Sequence, residues 1–597
     1  MQALAERIPR YTRPGLWDGN MVDGYLLAAA RATPARTAVI DRGTTWSYGD
    51  LDAMVTRMAA ALHGRGIARG DVVSWMLPNW TEAVVVHHAA LRLGAVSNPI
   101  VPIYRQAETS FILRESESKA VFVPSTFRGF DYAGMLAEIR ADLPSLRTVV
   151  VVGDTEAGRD VEYSSLMAEP DAPLSPAHAA GPDRDPNDPV LLLYTSGTTS
   201  TPKGALHTHN TLDYENRSII DFYGLSGRDV VFMPSPVSHI TGVLFGLQLP
   251  FMLRSAVVFL DRWDPGRALQ LIAAHRCSFM VAATPFLHGI VHHPELRDTD
   301  TSSMRAIVCG GADVPPDLVK DATAALGCMV SRAYGSTEYP TATGSNAGDP
   351  LSKRAETDGR AIGEARLRIV DDLGADVPAG NAGEVLVQGP EMFIGYLNPE
   401  LNAEAFTEDG WFRTGDLGRR DADGFLEITS RKKDIIIRGG ENISAKEIED
   451  ALFGHPKIAD VAVVASPDPV LAERVCAVIV PQAGQSVGLD EITAWLTHRK
   501  LAKQKFPEEV ILLGELPRTA SGKVQKFQLR ELAAQRATAK AAGTGTTRLA
   551  GSGTRKERCG GNDDNLAKLL RVRNALISVP APSVAAIREM VSASRSR

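Results

Sequence analysis

An apolar run that opens directly into a Gly/Ser/Thr run ending in lysine constrains this chain more than any other feature. Val190-Leu191-Leu192-Leu193 reads as a short buried strand. Tyr194-Thr195-Ser196-Gly197-Thr198-Thr199-Ser200-Thr201-Pro202-Lys203-Gly204 follows without a break. This second run is too rich in glycine and hydroxyls to pack in a core. It reads as a loop that offers backbone N–H groups, hydroxyl donors and one cation to an anion. A polyphosphate has the matching chemistry. The Walker spacing Gly-x-x-x-x-Gly-Lys-Ser/Thr is absent, so the loop is either a different phosphate cradle or a plain linker. Four motifs further along the chain bear on that choice.

At 597 residues the chain exceeds what one compact core supports, which implies two or more domains. A net charge of -7 gives no global reason to bind nucleic acid or an anionic membrane. No apolar stretch reaches the roughly 18 residues a spanning helix needs, so no transmembrane segment is expected. Met1-Gln2-Ala3-Leu4-Ala5-Glu6-Arg7 lacks the apolar core of a signal peptide. The five cysteines are scattered with no Cys-x-x-Cys pair, which suits reduced thiols in a cytoplasmic protein.

From about residue 21 to 480, helical patterns alternate with short β-branched runs. Residues 51–62 are amphipathic at helical spacing. Val72-Val73-Ser74-Trp75-Met76-Leu77 looks like a buried strand stopped by Pro78-Asn79. Residues 81–93 are helical again, and 121–123 and 149–152 are strand-like. This alternation predicts α/β layers built on parallel sheets, with no internal repeat at a fixed period. The texture changes near residue 430. Charged Arg431-Lys432-Lys433-Asp434 leads into a compact α+β pattern, with strands at 435–437, 458–464, 473–480 and 509–513 and helices at 445–453 and 489–499. The expected division is a domain over 1–430, a smaller domain over 431–535, and a flexible basic tail over 536–597. From 541 onward the tail carries ten basic against four acidic side chains. A short amphipathic helix fits 565–577.

The other four motifs each have a bland reading when taken singly. Tyr334-Gly335-Ser336-Thr337-Glu338 is a turn with hydroxyls and one carboxylate. A glutamate meant for Mg²⁺ needs a phosphate partner, because Mg²⁺ takes few protein ligands and shares substrate oxygens. In Trp411-Phe412-Arg413-Thr414-Gly415-Asp416-Leu417-Gly418, Asp416 is either a turn residue or an acceptor for a ribose diol. The fourth motif runs from Ser430-Arg431-Lys432-Lys433-Asp434 to Gly439-Gly440-Glu441-Asn442-Ile443. The fifth, Pro517-Arg518-Thr519-Ala520-Ser521-Gly522-Lys523, presents one lysine on a turn.

Together the five motifs resemble the acyl-adenylate-forming superfamily of acyl-CoA synthetases, peptide-synthetase adenylation domains and luciferases. The resemblance covers roughly residues 20–535. Leu77-Pro78-Asn79-Trp80, Gly94-Ala95-Val96-Ser97-Asn98-Pro99-Ile100 and Phe127-Arg128-Gly129-Phe130-Asp131 look closest to ligases of medium-chain, alicyclic or aromatic acids. The resemblance implies a large layered α/β domain for AMP and acyl binding, with a small mobile α+β lid. It implies an AMP-forming ligase that joins a small carboxylic acid to coenzyme A, with ATP and coenzyme A as co-substrates and Mg²⁺ as cofactor. It leaves a homodimer open and gives no place to nucleic acid.

By the same resemblance, Thr195, Ser196, Gly197, Thr198, Thr199 and Lys203 hold the β- and γ-phosphates. Thr337 contacts the α-phosphate and Glu338 ligates Mg²⁺. Gly310, Gly311, Ala312, Tyr334, Gly335, Ser336 and Ile428 line the nucleotide site. Asp416 takes the ribose hydroxyls with Arg431 assisting. Lys523 bridges the attacking carboxylate and the α-phosphate. His239, Gly242 and Gly311 border the acyl pocket, Lys433 marks the hinge, and Gly439 and Gly440 face the coenzyme A channel.

Three positions depart from the family pattern. Ser200 and Ser430 stand where glycine is usual, and Ser444-Ala445 replaces an aromatic-Pro pair. None removes a charged catalytic group, so activity is expected to be retained. Two alternatives remain: a ligase that hands its acyl-adenylate to a carrier protein, and a decayed nucleotide-binding homologue. Intact Lys203, Glu338, Asp416 and Lys523 weigh against decay.

Overall fold

The computed structural model describes residues 2–154, 160–168, 184–195, 202–439, 441–468, 470–519 and 523–545. Ser196, Gly197, Thr198, Thr199, Ser200 and Gly440 lie outside the described residues, as do Cys559 and the expected helix at 565–577.

Two large sheets dominate. The first has nine strands, in the order Arg360–Ala361, Thr343–Gly344, Met329–Tyr334, Ala306–Gly310, Phe279–Ala282, Val230–Met233, Ala256–Phe259, Thr37–Asp41 and Thr44–Ser47. Its middle is parallel, and its edges are antiparallel. The second has eight strands, running from Gly395–Tyr396 through Lys203–Thr208, Pro189–Thr195, Val96–Pro99, Val72–Trp75, Ala120–Pro124 and Thr148–Val152 to Val161–Glu162. Every residue of Val72–Trp75 is buried, as expected of a parallel strand covered on both faces.

The helix Thr81–Arg92 packs between these sheets and buries every residue except Glu82. A helix hidden on all faces must satisfy its polar groups internally. Its two histidines do so at one ring nitrogen each: His87 Nδ1 lies 2.9 Å from Ser97 Oγ, and His88 Nε2 lies 2.7 Å from the Leu247 carbonyl, while His87 Nε2 and His88 Nδ1 are buried without a hydrogen bond. Burial pulls the His88 imidazole down to about 4, so it is neutral core. The helix His209–Tyr223 is also largely buried, capped at its start by the Thr208 hydroxyl and stopped by left-handed Gly224.

The expectation of parallel layers fails in the third sheet, while the fourth has the α+β pattern expected of the C-terminal part. Arg366–Val370, Gly383–Gln388, Phe412–Arg420 and Leu426–Arg431 form a wholly antiparallel four-stranded sheet. In the C-terminal part, Glu441–Ser444, Ile435–Arg438, Ala472–Pro481 and Ile458–Asp468 pair antiparallel, and only Glu509–Leu512 joins in parallel. Phe412–Arg420 and Leu426–Arg431, and Ile458–Asp468 and Ala472–Pro481, are joined by connections too short for a crossover helix, which makes those pairs antiparallel. Lys432–Asp434 is a single tight turn between the third sheet and the fourth. The last helix runs Lys526–Gly545, past residue 535, and packs on strand Ile458–Asp468. The four described cysteines are buried.

Candidate active site

The C-terminal ends of two central strands of the nine-stranded sheet, Ala306–Gly310 and Met329–Tyr334, open onto a cleft of about 1140 Å³. The Thr195/Lys203 end of the hairpin Pro189–Thr195/Lys203–Thr208 forms a second wall, and the third sheet and the C-terminal part close the others. Thr195, Lys203, His239, Gly310, Gly311, Ala312, Tyr334, Gly335, Ser336, Thr337, Glu338, Asp416, Ile428, Arg431, Lys433 and Lys523 all line this one cleft. Residues more than 300 apart in sequence therefore share a site.

Local structure explains each placement. Thr195 pairs with Lys203 across the hairpin, so the intervening loop starts and ends at the cleft. Gly335 is sterically required: a Cβ there would lie 1.9 Å from the Pro340 carbonyl oxygen. The Gly335 turn closes through Ser336 N donating to the Tyr339 carbonyl at 2.8 Å. It presents Thr337 and Glu338, both buried. His207 Nε2 lies 2.8 Å from the Thr337 carbonyl, which assigns that nitrogen the proton. Gly310 meets the same constraint as Gly335, since a Cβ would sit 2.5 Å from the Ala333 carbonyl oxygen.

Asp416 faces Arg431 across the paired strands Phe412–Arg420 and Leu426–Arg431. Its Oδ1 lies 2.9 Å from Arg431 Nε, and its Oδ2 accepts from the Tyr334 hydroxyl at 2.6 Å. The carboxylate is thus held rigid, with its remaining acceptor capacity available to a diol. Ile428 N–H donates to Asp358 Oδ2 at 2.8 Å, and Asp358 in turn pairs with buried Arg332 at 2.7 Å. That pair locks the third sheet to the nine-stranded sheet.

Sequence reasoning missed Tyr396. Its hydroxyl donates to Glu338 Oε1 at 2.7 Å, and Lys203 Nζ lies 5.4 Å from its ring centroid. The signal available was the Gly-Pro/Gly-Tyr run 389–396, which has turn residues at both ends.

Lys523 follows the turn whose Thr519 N donates to its own carbonyl at 2.7 Å. Burial, then the neighbouring Arg431, pulls its ammonium down to about 7. His239 stands at the start of helix Ile240–Leu247. Burial, with Lys523 adding like charge, pulls it down to about 4, so a neutral imidazole faces the cleft. Lys433 is exposed in the connecting turn. Gly242 is not at the cleft surface; it allows close packing, since a Cβ would lie 2.1 Å from the Pro236 carbonyl oxygen. Gly439 turns between two strands of the C-terminal sheet, also away from the cleft lining.

Residues 26–397 match the AMP-binding enzyme family, and residues 447–523 match the C-terminal domain of AMP-binding enzymes. The chain belongs to the AMP-binding enzyme family. It is 37% identical over 530 residues to the medium-chain fatty-acid–CoA ligase of Escherichia coli, covering 88% of this chain and 93% of that protein. It is 35% identical to the salicyl-AMP ligase/salicyl-S-ArCP synthetase of Mycobacterium tuberculosis, covering 87% and 92%. The structure of ATP-bound MatB from Rhodopseudomonas palustris superposes with a TM-score of 0.76 at 29% identity, covering 85% of this chain and 98% of that one.

Among the described residues no group of three His, Cys, Asp or Glu side chains forms a metal cage. Glu338 is one of several carboxylates on the cleft, and Mg²⁺ needs only one or two of them, filling its shell with water and substrate phosphate oxygens. No helix among the described residues is long and apolar enough to cross a membrane.

Proposed function

We propose that this protein is an ATP-dependent, AMP-forming ligase that joins a fatty, alicyclic or aromatic carboxylic acid to coenzyme A. One observation carries the reading: Lys203, Glu338, Asp416, Arg431 and Lys523, one from each of the five motifs and from four parts of the fold, line one cleft. In the first half-reaction a carboxylate oxygen attacks the α-phosphorus of ATP, and the bond to pyrophosphate breaks. In the second, the coenzyme A sulfur loses its proton and attacks the acyl carbonyl carbon, and AMP leaves.

Two anions must meet in the first step, so positioning and charge neutralisation dominate. Lys523 donates to the attacking carboxylate and the α-phosphate. Thr195 and Lys203 receive the outer phosphates, and Thr337 the α-phosphate. Asp416, held by Arg431 and Tyr334, takes the ribose hydroxyls. Neutral His239 orients the carboxylate without adding charge. Glu338 would hold Mg²⁺, which supplies neutralisation of phosphate charge when bound. The C-terminal part acts as a mobile lid that turns at Lys433 between the two steps, in a cytoplasmic enzyme.

The test is AMP release from ATP with a panel from acetate through octanoate and palmitate to cyclohexanecarboxylate and benzoate, with and without coenzyme A. Coenzyme-A-dependent AMP and thioester from a medium-chain or cyclic acid is the expected result. Acyl-adenylate that accumulates and ignores coenzyme A would replace this reading with carrier loading.

A further inference from the structure

The N-terminal helix Gln2–Tyr11 carries a buried cation that none of the five motifs uses. Arg7 is 6% exposed. Its Nη1 donates to the Phe393 carbonyl at 2.8 Å, and its Nη2 donates to Met392 at 2.6 Å and Gly389 at 3.3 Å. Trp17 Nε1 donates to the Pro390 carbonyl of the same turn at 3.1 Å, and the guanidinium lies 5.5 Å from the Trp17 ring centroid. Burying a guanidinium is costly unless its donors are met, and here one turn of backbone meets both terminal nitrogens, leaving Nε buried without a hydrogen bond. The partners lie 386 residues away at Phe393, so this is a deliberate long-range clamp rather than local capping.

That turn holds Glu338. Phe393 N–H donates to the Glu338 carbonyl at 2.8 Å, and Tyr396, three residues on, donates its hydroxyl to Glu338 Oε1 at 2.7 Å. The turn also presses on the next residue: a Cβ at Gly389 would lie 2.0 Å from the Tyr339 hydroxyl. Backbone and carboxylate of Glu338 are therefore both fixed from the segment that Arg7 grips.

We propose that Arg7 is a positioning residue for the adenylation step, fixing the 389–396 segment and through it the Glu338 carboxylate. Arg7 does not reach the cleft itself. The inference rests on the role proposed above for Glu338. It predicts that the N-terminal helix is part of the catalytic scaffold rather than a detachable arm. Loosening the turn should displace Glu338, and a displacement near 1 Å at a reacting centre can cost about 100-fold in rate.

The experiment compares wild type, Arg7→Met, Arg7→Lys, Trp17→Phe and Glu338→Gln in the full chain. Three readouts are needed: ATP–pyrophosphate exchange, thioester formation from supplied acyl-adenylate, and calorimetric binding of ATP with Mg²⁺ but no acid. Arg7→Met should lower exchange about 10- to 100-fold, weaken Mg²⁺-dependent ATP binding, and leave thioester formation unchanged. Arg7→Lys, which restores a cation, should recover part of the loss. If Arg7→Met does not fold, Trp17→Phe carries the test with a smaller loss in the same direction. Equal loss in both half-reactions, or normal exchange in folded Arg7→Met, overturns the proposal. If Glu338→Gln itself exchanges pyrophosphate normally, the role of Glu338 is what fails.

Discussion

The depressed ammonium of Lys523 gives a pH dependence that can be worked out in advance. Burial is the main cause, Arg431 adds repulsion, Asp416 pulls partly the other way, and the balance sets the group at about 7 rather than 10.5. Lysine is charged below its pKa, so the empty site loses its bridging cation as pH rises through about 7. The charged fraction is about one tenth at pH 8 and about one hundredth at pH 9. Because kcat/KM reports the free enzyme, adenylation measured at low ATP should fall about tenfold per pH unit above 7. In the loaded complex the two anions favour the charged form, so kcat should hold to higher pH than kcat/KM. His239 does not interfere, since it titrates near 4. Lys523→Arg supplies the control, because a guanidinium stays charged throughout. Its absolute rate should drop, but its profile from pH 7 to 9 should be flat. ATP–pyrophosphate exchange at subsaturating ATP reads both. Stability should move in the opposite sense: the unfolded lysine binds its proton up to 10.5, so this group's contribution is most favourable above 10.5 and is lost as pH falls towards about 7. A flat wild-type kcat/KM, or the same fall in Lys523→Arg, would refute the assignment.

Three further substitutions probe other walls of the cleft. Asp416→Asn weakens two charge-assisted contacts at about 1.5 kcal/mol each, so kcat/KM for ATP should fall about 100-fold; an unchanged value would remove Asp416 from nucleotide binding. Gly335→Ala forces a Cβ to 1.9 Å from the Pro340 oxygen, and denaturant melts should show a loss of about 1–3 kcal/mol with adenylation abolished. A stable, active variant would mean the turn is not held as described. Lys446→Ala removes the cation that ties the helix Ala445–Phe453 to Asp313 and that also pairs, at 2.9 Å, with Asp450 on the same helix. Burial would raise Asp313, but Lys446 holds it low; burial and then Asp313 push Asp450 up. Without Lys446 two carboxylates face each other, so pyrophosphate exchange should fall more than thioester formation from supplied acyl-adenylate. Equal losses would show that this contact does not favour the adenylating arrangement.

How much was legible in the sequence follows from which residues act locally. The strand Val72–Trp75 and the helices Thr81–Arg92 and Ala445–Phe453 were read from pattern within a residue or two, because their burial is periodic or complete. The site motifs were legible for a different reason: Gly-rich turns at Gly310 and Gly335 tolerate no side chain against a facing carbonyl, so their composition reports their geometry. The third sheet was not read as antiparallel. Its strand Phe412–Arg420 carries Arg413, Thr414, Asp416, Arg419 and Arg420. Asp416 points into the cleft where a core residue would normally be, so functional polarity hides the strand pattern. Contacts that no spacing encodes were missed altogether. Tyr396 reaches Glu338 across 58 residues and Arg7 reaches Phe393 across 386. The choice of acid belongs to this second class. The cleft wall near His239 is assembled from Ile103, Ile219, Tyr223, Phe245 and Val308, which come from four separate segments. One methylene in such a wall changes discrimination by only about 1–3 kcal/mol. The reaction is therefore written in short motifs that a sequence displays, and the substrate in a surface that exists only after folding.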